Sequence, residues 1–402
     1  MGRGAPKVGL QNLPHDTTKG VSAQVVTPSP EQDAAGPSVR TRSANGHWLA
    51  CRWTSSRAIT LTGACGLFRA AIRGCDTRGV RVMPTDTAAV IASAYGLGVL
   101  AGDPVYVTRG EQGLIWRLDT RLGSWAVKEL LLPAGEAGAA SDVEFQLAAW
   151  AAGIPLPLPR RARDGRILLP AEEAGSAGSV RVYQWAGLAP GQGVTGAEIG
   201  AMTARLHRVR HAGSGPVEAW FSEPVGEPAW AALLGDACRG QARWAAALER
   251  RLPELIAVDA AVAPPEPGLL RTCHRDLNTE NVLRAAGGGV IVLDWENSGP
   301  AQPERELAAI VSDLAADASP QAARAAYAAY RAAAGPARLS SPADFATAIA
   351  VQGHLLQFYG RRALNRTESA ENRARSRKRL NQILTQPLTR SRIDHLLGIL
   401  TK

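Results

Sequence analysis

Apolar and polar positions alternate in three short runs, PVYVT from Pro104, GLIWRLDT from Gly113 and GSWAVKELLL from Gly123, with turn-forming segments around Gly110, Gly113 and Gly123 between them. Period-two patterning bounded by glycines predicts an antiparallel meander. Upstream, MPTDTAAVIASAYGLG predicts a helix that Thr85 or Asp86 can cap and that Gly96 and Gly98 end. Downstream, Ser141 or Asp142 should open a helix through VEFQLAAWAAG that Gly153 closes, and IPLPLPR reads as a loop. GRILLP and GSVRVYQWAG supply two more strand runs, and AEIGAMTARLHRVR then has apolar residues at helical spacing. The pattern describes a five-strand lobe followed by a helical lobe, an α+β architecture. Between Thr272 and Glu296 the helical pattern gives way to a loop, a strand, a Gly-rich turn and a second strand.

From Met1 to about Arg81 no sustained periodicity is seen, and Gly, Pro, Ser, Thr and Arg are abundant. Residues 1–82 are therefore expected to be disordered or foreign to the working protein, with Met83 as the working initiator. Residues 83–187 should form the first lobe and 188–402 the second. The formal net charge of the 402 residues is +9, which would suit a polyanionic partner. Its distribution changes that picture, because residues 1–82 hold 11 Lys or Arg against 4 Asp or Glu, leaving 34 against 32 for the rest. Nucleic-acid binding is a minor alternative. The basic run ENRARSRKRL, Glu371 to Leu380, reads as a solvated helix face.

Five cysteines without a CxxC pair suggest neither zinc nor a disulfide framework. The weakly apolar run from Thr87 to Gly102 is too short to span a bilayer, and no apolar h-region follows Met1. A reducing cytoplasm is the expected location.

His274-Arg275-Asp276-Leu277-Asn278-Thr279-Glu280-Asn281 has the spacing HRDxxxxN of a kinase catalytic loop. Phosphoryl transfer needs a carboxylate to orient and deprotonate the attacking hydroxyl and an uncharged oxygen ligand for Mg²⁺, which Asp276 and Asn281 can supply. The strand VIVL ends in Asp294, a second hard oxygen ligand. Lys128 in AVKEL is the only lysine between Lys19 and Lys378. A strand lysine paired with a glutamate of the next helix, here Glu144, is the kinase arrangement for holding nucleotide phosphates. TRGEQG does not match GxGxxG, yet the amides from Gly110 to Gly113 stand where they could cover phosphates. Gln184, Trp185 and Ala186 occupy the position of an interlobe hinge whose backbone would read adenine.

From about Thr87 to Tyr359 the chain resembles the aminoglycoside phosphotransferase and choline kinase-like family, a branch of the protein-kinase-like fold. The resemblance rests on the helix before GLGV, AVKEL, the helix glutamate, VYQWAG, TARLHRV, HRDLNTENVL and VIVLDWE, in that order. It implies a two-lobed kinase using ATP or GTP and Mg²⁺, with a small-molecule hydroxyl as acceptor. By resemblance Asp276 is the base, Asn281 and Asp294 bind metal, Lys128 binds phosphate, Glu144 positions Lys128 and His274 orients the loop. Two positions depart from the pattern: Arg275 stands where the family often has Gly, and DWE replaces the DFG of protein kinases. PERELAAIV follows Asp294 within ten residues, so no regulated activation segment fits. Glu296 is either a support for the metal site or solvated.

A polycationic acceptor would call on Glu296, Glu304, Glu306 and Asp313, whereas a choline-like one would need a cage from Trp220, Phe221, Trp230, Trp244, Phe358 and Tyr359. The basic stretch from Arg361 to Arg379 argues against a polycation if it lies near the pocket. A nucleotide-binding pseudokinase is the alternative from another class, although Lys128, Asp276, Asn281 and Asp294 are all retained.

Overall fold

The computed structural model describes residues 81–189, 191–211, 215–317 and 319–400, with 38–42 and 48–52 described by their backbone. The chain divides into two compact units, Met1–Arg69 and Ala70–Lys402. In the first, β1 (Ser38–Arg42) and β2 (Trp48–Arg52) pair antiparallel, with Ser38 opposite Arg52. These five-residue runs are too short to stand out by pattern; the rest of the expectation for residues 1–82 lies outside the described residues, Arg81 and Val82 excepted.

The second unit opens with α1 (Thr85–Ala94), whose N-cap is Pro84 and not a side chain. Thr85 Oγ1 instead donates to Asp103 Oδ1 at 3.2 Å. β3 (Val105–Arg109), β4 (Gly113–Thr120) and β5 (Gly123–Leu130) form the predicted meander. α2 (Glu136–Ala151) begins five residues before the predicted cap at Ser141. β6 (Pro159–Arg160) lies within IPLPLPR, expected to be a loop, and is followed by α3 (Ala171–Ala174) and β7 (Val180–Gln184). The sheet order is β3-β4-β5-β7-β6, antiparallel throughout. Pro159 is tolerated because β6 is an edge strand.

GRILLP, predicted as the fourth strand, makes a single bridge from Leu169 to Val180. β6 already pairs with β7 at Val182 and Tyr183, and the Glu136 carboxylate accepts from the amides of Ile167 and Leu168 at 2.7 and 2.9 Å, so this run does not extend the ladder. Leu114, Trp116, Leu118, Val127, Val180 and Val182 turn to the face covered by Ala88, Ile91 and Tyr95 of α1 and its C-terminal end.

The helical lobe begins with α4 (Gly196–Leu206), held at its start by a capping box between Thr195 and Glu198. α5 (Ala219–Ser222), α6 (Glu227–Arg239) and α7 (Ala245–Asp259) follow. Then come β8 (Arg271–Cys273), β9 (Val282–Arg284), β10 (Val290–Val292) and β11 (Gly299–Ala301), which pair as β8–β11 and β9–β10. α8 (Pro303–Asp317), α9 (Pro320–Ala332), α10 (Ala346–Leu364), α11 (Ala370–Thr385) and α12 (Arg390–Leu400) complete the lobe. α4 meets α9 at backbone distance: a Cβ on Gly200 would stand 1.9 Å from the carbonyl oxygen of Ala326.

Leu277, Val282, Val292 and Trp295 join the main core with Ile199, Leu206 and Leu307, so the segment from β8 to β11 is packed on the helices beneath it. A second cluster holds Trp230, Trp244, Tyr359, Leu380 and Leu384 together from α6, α10, α11 and the start and flank of α7. Among the described residues, no helix is long and apolar enough to cross a membrane.

Candidate active site

β5 and β7 place Lys128 directly opposite Arg181, two cations side by side on the sheet face turned away from α1. Like charges across a ladder need counter-charges, and three carboxylates provide them. Lys128 Nζ is 2.6 Å from Asp294 Oδ1 and 3.0 Å from Glu296 Oε1, while Arg181 Nη1 is 3.2 Å from Asp142 Oδ2 and 3.8 Å from Glu296 Oε1. Burial works against the charge of Lys128, yet Glu296 and Asp294 hold it above the ordinary lysine range. Burial also opposes the charge of Glu296, but Lys128, the hydrogen bond with Asp294 and Arg181 keep it well below the usual carboxylate range. Asp142 is pushed up to about 7 by burial, only partly offset by Arg181.

Glu144 is therefore not the partner of Lys128. It stands exposed on α2, while Asp142 and Val143 are among the residues that face inward. Its expected place is taken by Glu296, which the sequence left between a supporting and a solvated role. Asp294 adopts a left-handed backbone (φ 60, ψ 65) and starts the turn Trp295–Asn297, and this bend brings Glu296 back to the lysine two residues after Asp294. Phe145 of α2 and His274 both set their rings against Trp295, at 5.6 and 4.8 Å, so the turn is fixed from both sides.

The HRDLNTEN segment joins β8 to β9. Asn278 Nδ2 donates to Asp276 Oδ1 at 3.0 Å, and Asn297 Nδ2 donates to Oδ2 at 3.1 Å. Burial, the charge of Asp294 and the charge of Asp313 push Asp276 up to about 7 against the pull of Asn297 and Asn281. Asn281 donates its Nδ2 to the Asp276 carbonyl at 2.8 Å and its amide to Asn278 Oδ1 at 3.0 Å, so its Oδ1 is the side-chain atom that could take a cation. Asp294 is pushed up to about 7 by burial and by Glu296. A neutral amide oxygen beside a crowded carboxylate is a hard donor set that suits Mg²⁺.

Arg275 sits at φ 64, a conformation that favours glycine. Its amide donates to the buried Glu306, its Nε donates to the Asn297 carbonyl at 2.5 Å, and its guanidinium pairs with Glu218 and lies 4.0 Å over the Phe221 ring. Glu306 in turn meets His207 Nε2 at 2.7 Å, and His207 Nδ1 meets the Tyr330 hydroxyl at 2.8 Å. His274, fully buried, keeps Nε2 at 3.0 Å from the Leu293 carbonyl, and burial lowers its pKa, so it donates as a neutral ring.

His207, Cys273 and Glu306 bring three ligand atoms within 4.8 Å of one another. Both imidazole nitrogens and both carboxylate oxygens are already engaged, and burial pushes the Cys273 thiol well up, away from the thiolate a metal takes. Glu306, backed by His207, instead holds the loop through the Arg275 amide. Of the carboxylates proposed for a polycationic acceptor, Glu296 and Glu306 are buried in such pairs, and of the proposed aromatic cage, Trp230, Trp244 and Tyr359 are core.

Gly113 lies over Lys128, since a Cβ there would stand 3.0 Å from the lysine Cγ and 3.0 Å from the Glu129 carbonyl oxygen. Gly110 closes the turn by donating its amide to the Gly113 carbonyl at 2.9 Å. At the end of β7, the amides of Gln184 and Trp185 are spent on the carbonyls of Leu158 and Ser124, which leaves Ala186 as the amide of the three with no partner among the described residues.

The sequence model of the phosphotransferase enzyme family (APH) matches residues 111–341, more than half of the 402 residues. No curated protein matches the chain by sequence. Among solved structures, spectinomycin phosphotransferase APH(9)-Ia in complex with ADP and spectinomycin is similar with a TM-score of 0.57 at 13% identity, over 79% of this chain and 99% of that one. An aminoglycoside phosphotransferase from Alicyclobacillus acidocaldarius subsp. acidocaldarius DSM 446 gives a TM-score of 0.51 at 15% identity, over 80% of this chain and 96% of that one. At such identities the structures speak for the shared two-lobed, protein-kinase-like fold, and the family match speaks for the chemistry. The chain belongs to the phosphotransferase enzyme family.

Proposed function

We propose that the enzyme moves the γ-phosphate of ATP or GTP to an alcohol or sugar hydroxyl, with Asp276 as the base that orients and deprotonates the acceptor. The observation that carries this reading is the contact of Lys128 with Asp294 at 2.6 Å, which joins the lysine of the strand lobe to the carboxylate beside the HRD loop. In the proposed step the acceptor hydroxyl gives its proton to the Asp276 carboxylate as its oxygen bonds to the γ-phosphorus. The bond from that phosphorus to the β–γ bridging oxygen breaks, and a nucleoside diphosphate leaves. A carboxylate whose pKa lies near 7 takes such a proton at neutral pH.

Asn281 and Asp294 would hold Mg²⁺, which when bound neutralises phosphate charge. Lys128 would bind the phosphates with Glu296 and Asp294 orienting it, the turn from Gly110 to Gly113 would cover them, and the Gln184–Ala186 edge would read the base through Ala186. The ADP complex of the spectinomycin enzyme is consistent with nucleotide use, and an ATP-rich cytoplasm is the matching location.

The acceptor is proposed to be neutral or weakly charged. Arg379 reaches Glu280 of the catalytic loop at 3.3 Å, which puts the basic helix at the mouth of the cleft, where a polycation would be repelled. A nucleotide-consumption screen over aminoglycosides, amino alcohols, sugars and macrolides tests the acceptor class. With the acceptor found, Asp276→Asn should lower turnover by about 10²–10⁴-fold. Parental turnover in that variant would remove Asp276 as the base. Lys128→Met should weaken nucleotide placement and turnover, and unchanged kinetics would remove the lysine from the site.

A further inference from the structure

Two adjacent residues at the tip of the β3–β4 loop reach in different directions. Glu111 turns to the helical lobe, where Arg375 is bonded to it and Arg362 and Arg379 stand 3.9 Å away. Gln112 turns into the cleft, and its Nε2 is 3.3 Å from Asn297 Oδ1. Asn297 is the same side chain whose Nδ2 donates to Asp276 Oδ2, and its carbonyl accepts from Arg275 Nε. A continuous set of hydrogen bonds thus runs from the loop tip to one oxygen of Asp276.

The loop is tied down elsewhere by the same helix. Arg109, at the end of β3, bonds Glu371 at 2.8 Å and Asn372 at 2.5 Å, and Arg81 adds a second bond to Glu371 at 2.7 Å. α11 also reaches the catalytic loop through Arg379 and Glu280. Glu111, Arg375 and Arg379 keep 25 to 35% of their side-chain surface exposed, so these bonds can break and re-form in water without leaving a buried charge behind.

We propose that Gln112 and Asn297 are positioning residues that aim Asp276 while α11, through Glu111, holds the loop down over Lys128. The proposal rests on the reading of Asp276 as the base. Asn297 has one amide to divide between two partners. With Gln112 donating to its Oδ1, its Nδ2 faces Asp276; when the loop rises, that orientation loses its support and so does the carboxylate. Closing the loop over the phosphates and aiming the base then become one event, which limits proton abstraction to the closed enzyme.

The test uses the full chain. Hydrogen exchange of the backbone amides is measured in the parent and in Glu111→Gln, Gln112→Ala and Asn297→Ala. Glu111→Gln should speed exchange in both 110–113 and 274–281. Gln112→Ala should speed exchange in 274–281 although that segment is far away in sequence. With ATP, Mg²⁺ and the acceptor identified by the screen, Gln112→Ala and Asn297→Ala should each lower kcat by about tenfold or more with little change in nucleotide KM. The double variant should be no worse than the poorer single. Parental exchange in 274–281 for Gln112→Ala, or additive losses in the double variant, would overturn the coupling. Asp276→Asn is the control that separates the two readings: if it stays active, the base assignment is what has failed.

Discussion

Beneath the HRD loop, Glu306, His207 and Tyr330 form a set of side chains almost without solvent contact, with Glu306 reaching the amide of Arg275. Above the cleft, Glu111 meets Arg375 and Arg379 of α11 in groups that remain partly exposed. Both sets join elements distant in sequence, and both bear on Asp276. A buried charge that loses its partner is costly, whereas an exposed pair is nearly balanced by water. The lower set therefore suits a permanent support and the upper one a contact that opens. Burial opposes the charge of Glu306, yet His207 and the Arg275 amide hold its pKa below the ordinary range, so its anionic form belongs to the folded state.

Removing one partner from each set sharpens that contrast. Glu306→Ala, which strips His207 and the Arg275 amide of their acceptor, should destabilise the protein by about 3–5 kcal/mol in denaturant titration. A cost near that of an exposed pair would mean the buried set is not what holds the loop.

Asp142 tests burial between the sheet and α2 through its response to pH. Its folded pKa of about 7 lies above the value near 4 of an unfolded aspartate, so the folded state retains a proton that the unfolded chain releases. The stability from this proton is present below pH 4 and is lost as pH rises toward 7. Relative to Asp142→Asn, the parent should lose about 2–3 kcal/mol between pH 5 and pH 7, at roughly 1.4 kcal/mol per pH unit. A pH-independent difference would show that Arg181 keeps Asp142 ionised throughout.

Glu111→Gln should change stability by about 1 kcal/mol or less, since its arginine partners stay partly solvated. Nucleotide affinity should be the more sensitive readout. The gap between parent and variant should narrow as salt is raised to about 1 M, where screening acts over roughly 3 Å. A gap that does not respond to salt would break the distinction between the two sets. The smallest effect is expected of Arg81→Ala, whose pair with Glu371 is the more exposed end of the α11 contacts. A change within about 0.5 kcal/mol is expected in thermal unfolding.

The HRDxxxxN loop was legible because it is local. His274, Asp276 and Asn281 lie within eight residues, and the turn they make is specified by Asn278, whose side chain accepts from the amides of Glu280 and Asn281. The meander was legible for the same reason, through alternating β4 and β5 with glycines between them. The fourth strand differs because its place beside β7 goes to β6, and because Glu136, 31 and 32 positions away, captures two of its amides. Glu144 was misassigned because helix spacing gives the faces of α2 without saying which face meets Lys128.

What the chain determines by itself is thus the inventory: strands, helices, an HRDxxxxN loop, one strand lysine and an aspartate at the end of an apolar run. Tertiary structure decides the pairings. Lys128 meets Asp294 across 166 positions and Glu111 meets Arg375 across 264, and the left-handed turn at Asp294 makes Glu296 the second carboxylate at the lysine. The physical reason is range: periodicity and turn chemistry act over a few residues, while the partner of a charge is whatever the packed core brings within about 4 Å of it.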